Sequence, residues 1–273
     1  MTGSTPDYDA YQSAFHAAFA PDLRGLVNDL PVRPDGRVLD VPCGNGFYTE
    51  MLARRLSPAG RVVAVDTCDE YLADTRGRLA AAGRDGEVLK ADAYRLPFRD
   101  RSFDLVWCAQ SLVSLDPARA VAALAAAVKP SGTLAILEGD EIRHVLLSWP
   151  AELEAALPAA VLLASAKRYG DAIKLSPARR LRRLLRESGF RSIRRRTVVM
   201  ERAAPFDEQA SNFLRQHFDF LGRDVYPHLP RSAQRLFDSR TDPDSAESML
   251  RRPDAEFECV NVLYEATDRR APE

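Results

Sequence analysis

Three aspartates close apolar runs and precede turns: Asp40 after Val38-Leu39, Asp66 after Val62-Val63-Ala64-Val65, and Asp92 after Val88-Leu89. The first opens the stretch Asp40-Val41-Pro42-Cys43-Gly44-Asn45-Gly46-Phe47-Tyr48-Thr49. Gly44 and Gly46 remove side chains where a ligand must lie against the backbone, although glycines in such a turn also serve purely conformational ends. The helix that follows offers free N–H groups and the positive end of its dipole. Asp66 stands about 20–25 residues beyond the loop, where a carboxylate can accept both hydroxyls of a ribose. As a lone residue it could equally cap a helix beginning near Asp69. A carboxylate at Asp92 can accept the exocyclic amine of adenine, and the N–H of the adjacent Ala93 can reach a ring nitrogen. Their order points to an adenosine-containing ligand.

The elements that must position these residues alternate between strand-like and helical patterns over the first half of the chain. Strands are expected at 37–41, 61–65, 87–90, 103–108 and 133–138, with helices at 47–56, 69–82 and 117–128. This alternation is the pattern of a parallel sheet with crossover helices. Lys129-Pro130-Ser131-Gly132 is expected to stop the third helix and turn the chain. A helix at 176–188 and strands at 191–200 and 257–266 complete the rhythm. The expected division is an N-terminal helical segment (1–36), a core (37–138), a helical cap insertion (139–175), a core continuation (176–201), a second cap insertion (202–256) and a last strand with tail (257–273). A structureless loop as long as 202–256 would be improbable, so helices are expected there.

The series from Asp40 to Asp92 resembles class I S-adenosylmethionine (SAM)-dependent methyltransferases, over about 37–138 and again at 189–200 and 257–266. The resemblance implies an α/β fold: a Rossmann-like, seven-stranded, mostly parallel sheet with helices on both faces and helical cap insertions. It implies SAM as cofactor, with Asp40, Gly44 and Gly46 holding the methionine part and Asp66 the ribose. Asp92 and Ala93 would hold the adenine, and Cys108 and Ala109 would supply contacts at the end of the fourth strand. Pro42 departs from the family pattern, standing where the first loop glycine is usual; proline fixes φ and lacks an N–H. The rival is a nicotinamide-dependent oxidoreductase, since Gly44-Asn45-Gly46 begins a GxGxxG-like string. Thr49 replaces its third glycine, however, and Asp40 would repel a pyrophosphate but suit a sulfonium and an ammonium group. A protein of this fold that binds SAM or its demethylated product without methyl transfer is a further alternative.

SAM carries its own activated methyl group, so a base is needed only when the nucleophile arrives protonated. The histidines are His16, His144, His217 and His228. His144 follows the fifth strand and His217 lies in the second insertion, which makes these two the candidate catalytic residues; Glu138 and Asp140 are further candidates. The family's Asn/Asp-Pro-Pro-aromatic loop for nucleic-acid amino groups is missing, with Cys108-Ala109-Gln110-Ser111 in its place. Trp149, Tyr169, Phe213, Phe218, Phe220 and Tyr226 in the insertions can pack a cap or wall an apolar pocket. A small organic acceptor is therefore expected, with RNA or protein as lesser alternatives.

Composition narrows the classes further. The chain has 273 residues, 46% hydrophobic and 28% charged, with a net charge of −1, which excludes an overall basic nucleic-acid clamp. Arg179, Arg180, Arg182, Arg183 and Arg186, continued by Arg194-Arg195-Arg196, read as a solvated basic face. No apolar run reaches the length of a membrane span, and the first residues lack a secretory pattern, so a cytoplasmic location is expected. Cys43, Cys68, Cys108 and Cys259 form no CxxC pair and no zinc spacing, so free thiols and no metal are expected. Nothing in the chain specifies an oligomeric state.

Overall fold

The computed structural model describes residues 9–139, 144–169 and 177–270. Its elements in chain order are α1 (Asp9–Asn28), β1 (Arg37–Asp40), α2 (Phe47–Arg54), β2 (Arg61–Asp66), α3 (Asp69–Ala81), β3 (Glu87–Lys90), β4 (Phe103–Ala109), α4 (Pro117–Ala127), β5 (Val128–Gly139), β6 (Val145–Leu147), α5 (Ala151–Tyr169), α6 (Pro177–Glu187), β7 (Phe190–Ala203), α7 (Glu208–Phe220), α8 (Arg231–Thr241) and β8 (Glu256–Arg269). The sheet runs β3-β2-β1-β4-β5-β8, with β7 on the far side of β8. The pairs from β3 to β5 are parallel, whereas β8 is antiparallel to both β5 and β7. Parallel strands covered on both faces need apolar residues on both, which explains the unbroken run Val62-Val63-Ala64-Val65.

The sheet has eight described strands rather than the expected seven. The addition is β6, where helix was expected. Val145 pairs with Cys259 and Leu147 with Phe257, continuing along β8 the edge that β5 occupies from Ala266 to Asn261. A strand of 3 residues carries no readable periodicity of its own; the long β8 supplies its hydrogen bonds. A second difference concerns 129–132. The chain does not leave the sheet there, because β5 already begins at Val128. Val128 pairs with Phe103 and Thr133 with Leu105, so the intervening segment, proline included, bulges out of register.

Two apolar layers flank the sheet. One joins α1, α2 and α7 to the face carrying Leu105, Trp107, Cys259 and Leu263. The other joins α4 and α6 to the face carrying Val106, Cys108, Val262 and Tyr264. Local caps fix the helix starts. Asp116 accepts a hydrogen bond from the N–H of Arg119, with Pro117 at the first helical position, and Asp207 accepts one from Ala210 at 2.7 Å. Helix α1 contains Pro21 and is kinked at Phe19. Near the kink Arg202 donates from Nε to the Ala18 carbonyl at 3.1 Å, while its guanidinium lies 4.5 Å from the centre of the Phe19 ring.

The two expected insertions share a small core of their own. Leu153, Ala160 and Ala164 of α5 pack with Leu221, Val225, Leu229, Ala233 and Phe237 from α8 and the turns before it. Trp149 lies against Phe218 and Phe237 at ring distances of 5.8 and 6.1 Å. Among the described residues no helix is long and apolar enough to cross a membrane.

Candidate active site

The glycine loop is laced to the strands on both sides of β1. Val41 N–H donates to the Trp107 carbonyl of β4, and Cys43 N–H to the Val65 carbonyl of β2, at 3.0 and 2.9 Å. Pro42, in cis after Val41, has no N–H to contribute and sits between these two anchors. The carboxylate of Asp40, only 1% exposed, accepts a hydrogen bond from the Thr49 hydroxyl one turn into α2. Burial pushes the Asp40 carboxyl up to about 7; the Thr49 bond opposes this and the charge of Asp66 adds to it. Thr49 therefore has a structural reason to stand where a dinucleotide fingerprint has glycine.

The loop glycines differ in role. Gly44 has φ +52°, and a methyl group added there would meet no atom within 4 Å, so its free side faces open space. Gly46 has φ +80°, and a methyl group there would lie 2.7 Å from the Thr75 Cα of α3. Gly46 thus lets α2 and α3 approach each other, while Gly44 leaves open space beside the loop. Asp66 spans the gap between them: Oδ2 accepts from Gly44 N–H at 3.0 Å, and Oδ1 from Thr67 and Cys68 N–H at 2.7 and 3.0 Å. It therefore braces the turn that leads into α3 and pins the loop to it, while α3 itself has no side-chain cap.

The remaining residues expected to bind cofactor follow along the same carboxyl edge. Ala91 N–H donates to the Asp66 carbonyl at 3.1 Å, Asp92 is exposed and accepts from Tyr94 N–H at 2.9 Å, and Ala93 is buried. Cys108 and Ala109 end β4, between β1 and β5. Burial holds the Cys108 thiol well above its ordinary range, so it stays protonated. Among the described residues no group of histidines, cysteines and carboxylates could hold a metal ion.

Helix α1 contributes residues that sequence reading missed. Gln12 donates from Nε2 to Gln110 Oε1 at 2.5 Å, and Tyr48 OH donates to the same oxygen at 3.3 Å. Gln110, just past β4, has φ +52°. Gln12 Nε2 also lies 3.0 Å from His16 Nε2, which must accept, since an amide nitrogen donates. His16 in turn stacks on Phe47, the first residue of α2. These residues join α1 to the start of α2 after the glycine loop and to the end of β4. The only local signal was a run of aromatic and amide residues at helical spacing.

Beyond β4 and β5 lies a cavity of about 640 Å³. Gln110, Glu138 and Gly139 line its sheet side, Val113 and Ser114 come from the turn after β4, Ala10, Tyr11 and Gln12 from α1, and the rest from the segments 144–167 and 216–228. Both histidines expected to be catalytic line it, namely His144 and His217. His217 is buried, which pushes its imidazole down to about 3, and His144 nearby acts in the same direction. Tyr11 OH lies 3.4 Å from His217 Nδ1. Glu138 also lines the cavity, but its Oε1 accepts from Ser111 and Leu112 N–H at 3.0 and 2.8 Å, so it braces the turn after β4. Trp149 and Phe220 line the cavity, whereas Phe213 and Phe218 are core. Asp140 lies outside the described residues, as does the side chain of Tyr169.

With this edge in view, residues 38–132 match the family described as "Methyltransferase domain". Over that stretch the chain is similar to methyltransferase domains. It is 39% identical over 119 residues to a ubiquinone/menaquinone biosynthesis C-methyltransferase UbiE of Teredinibacter turnerae, covering 42% of this chain and 48% of that one. It is 34% identical over 170 residues to the UbiE of Pseudomonas putida, covering 58% and 66%. The chain thus spans about half the length of the first of these relatives. In fold it is similar to YcgJ of Bacillus subtilis, with TM-score 0.59, 15% identity and coverage of 92% and 100%. It is likewise similar to a SAM-dependent methyltransferase of Aquifex aeolicus, with TM-score 0.51, 21% identity and coverage of 68% and 90%. The matched methyltransferase domain holds the glycine loop and the three edge aspartates. Helix α1, His144, His217 and the cap lie outside it.

Proposed function

We propose that the protein transfers the methyl group of SAM to a small organic acceptor held in the cavity between the sheet edge and the cap. The observation that carries this reading is the cavity itself, about 640 Å³, beginning at the carboxyl ends of β4 and β5 beside a stretch similar to methyltransferase domains. Its walls combine apolar side chains, among them Trp149, Leu157, Val161 and Phe220, with polar ones such as Gln12, Gln110, Glu138 and His217, a lining that suits a small molecule. Quinone biosynthesis in the names of the UbiE relatives supports the same class.

The loop fits SAM by its own features. Gly44 leaves open space beside the loop, and Asp40 at the loop's start is a desolvated carboxyl that a nearby cation would hold ionised. In this reading Asp40, Gly44 and Gly46 take the methionine part, Asp66 the ribose, Asp92 and Ala93 the adenine, and Cys108 and Ala109 flank the donor. When bound, SAM supplies a methyl group already activated by its sulfonium. The protein then aligns the acceptor, keeps water out, and accepts a proton where one must leave. The cap formed by the two insertions serves as the water-excluding cover. A cytoplasmic setting belongs to the same proposal, supported by four cysteines that are all free and buried. Nucleic acid is not part of it.

Fold alone does not fix the reaction, since one structural neighbour is the [4+2]-cyclase SpnF, with TM-score 0.54 and 18% identity. A metabolite screen with methyl-labelled SAM separates the two outcomes. Label in a small organic product is expected; SAM bound tightly with no label transferred to any metabolite would replace methyl transfer by a binding role.

A further inference from the structure

One side of β8 is shared by β5 and β6, and the other is covered by β7 alone. In an antiparallel pair alternate residues exchange both bonds with the partner strand, and the residues between them turn N–H and C=O outward. The 14 residues of β7 extend over about 45 Å, and among the described residues no strand takes up these outward groups. Edges are commonly closed by proline or a bulge, yet Ser192–Ala203 holds no proline and keeps its register with β8 throughout. The backbone of β7 is thus ready to receive a further strand.

Charge selects what that strand can be. Nine arginines and a single acid, Glu187, stand between Pro177 and Thr197, in a chain whose net charge is −1. They belong to α6, β7 and the turn between, and Arg182 of α6 reaches the strand, donating from Nη1 to the Ile193 carbonyl at 3.4 Å. Nearby acids answer part of this charge: Glu187 pairs with Arg183, Glu265 with Arg194 and Asp29 with Arg196. The surplus is positive, and Arg191 and Arg195 on the strand and Arg186 on the helix are exposed. Positions 191, 195 and 199 share one face of β7 by the period of a strand. Val199 is 47% exposed there, so an apolar side chain laid beside it would gain cover. We propose that β7 takes up an extended acidic segment of a partner protein as an additional strand, with its carboxylates against the arginines of β7 and α6. A nucleic acid or a lipid headgroup would match the charge but offers no N–H and C=O ladder to the edge. Main-chain bonds supply the affinity of such an addition and the arginines its selectivity. The edge is separated from the glycine loop by β4, β5 and β8, and the inference does not rest on methyl transfer.

The probe is a synthetic peptide of about ten residues, the length of a long strand, alternating glutamate with threonine and ending in valine on both sides. Added to the whole protein, it should slow amide exchange in 190–203 while α2 and α3 keep their rates, and its affinity should fall as salt is raised. A peptide with glutamine for glutamate should bind about tenfold more weakly, and so should the acidic peptide to a protein carrying Arg191→Gln, Arg194→Gln and Arg195→Gln. Proline at alternate positions of the peptide removes its N–H groups and should abolish binding. The peptide comparisons use wild type, so they stand whether or not the triple variant folds. No binding of the acidic peptide, or equal binding of the glutamine peptide, would overturn the proposal. Equal binding of the proline peptide, or protection confined to α6, would overturn strand addition. Protection of 190–203 that grows with protein concentration and resists the peptide would assign the edge to a second copy. Oligouridylate or phosphatidylglycerol vesicles that displace the peptide and bind more tightly would assign the face to that polyanion instead.

Discussion

The imidazole of His16 lies flat on the ring of Phe47, with 4.1 Å between centroids and 5° between planes. This contact fastens α1 to the first residue of α2, at the mouth of the glycine loop. It also places a titratable ring where water does not reach, and burial pushes His16 down to about 3.

A histidine at about 3 in the folded state and 6.5 unfolded binds its proton more readily when unfolded. Its contribution is intact above 6.5 and is lost as pH falls toward 3, by about 1.4 kcal/mol per unit. His217 behaves in the same way. Asp40, raised to about 7, has the opposite sign: it gains stability as pH falls from 7 toward its unfolded value, offsetting about one histidine. Urea melts at pH 6 and pH 4.5 should therefore show a decline that His16→Phe reduces by about 2 kcal/mol. An unchanged decline in that variant would mean His16 is not held neutral.

The two loop glycines should separate stability from binding. Gly46→Ala drives a methyl group into Thr75 at positive φ and should cost about 2 kcal/mol or more in thermal or urea unfolding. Gly44→Ala meets open space, so it should cost only about 1 kcal/mol of strain. Its methyl group would stand in the space beside the loop, and SAM affinity measured by calorimetry should drop in this variant far more than its stability. The reverse pattern would exchange the two roles.

Asp66→Ala should weaken SAM binding by about 1.5–3 kcal/mol, roughly tenfold to a hundredfold, through lost hydrogen bonds to a charged group. The same change orphans the N–H groups of Gly44, Thr67 and Cys68, so the free protein should also melt earlier. Calorimetry and a melt on one sample test both. Full SAM affinity with a lowered melting temperature would leave Asp66 as a brace of the loop and nothing more.

Arg202→Ala removes the donor to the Ala18 carbonyl, the ion pair with Asp22 at 2.6 Å and the stack on Phe19. A loss of about 1–3 kcal/mol is expected, with the increase in hydrogen exchange concentrated in α1. Uniform exchange throughout the protein would show that the kink does not depend on this residue.

What the chain discloses in advance depends on how local the cause is. The run Val62–Val65 and the turn from Asp40 to Phe47 are short-range patterns with one physical reading, and β1 to β4 follow them closely. Strand β6 is different: Val145-Leu146-Leu147 is strand only because β8 extends past the end of β5. The setting of His16 depends on Gln12 and Phe47 together, and Gln12 meets Gln110 98 positions away. No window on the sequence spans that distance. The divided role of the two glycines was equally hidden, since it is Thr75 of another helix that distinguishes them.

Strand β7 is 14 residues long, and among the described residues nothing pairs with its outer edge. An open edge of that length is a template on which a second sheet can grow. Its exposed positions include Arg191, Arg194 and Arg195, beside the arginine-lined face of α6. Two copies meeting edge to edge would bring these guanidinium groups against each other, and the repulsion would act before any ladder could form. An exposed basic face of this kind disfavours such edge-to-edge pairing. Exchanging those arginines for threonine or valine would leave the backbone ladder between β7 and β8 in place and should raise self-association measured by light scattering.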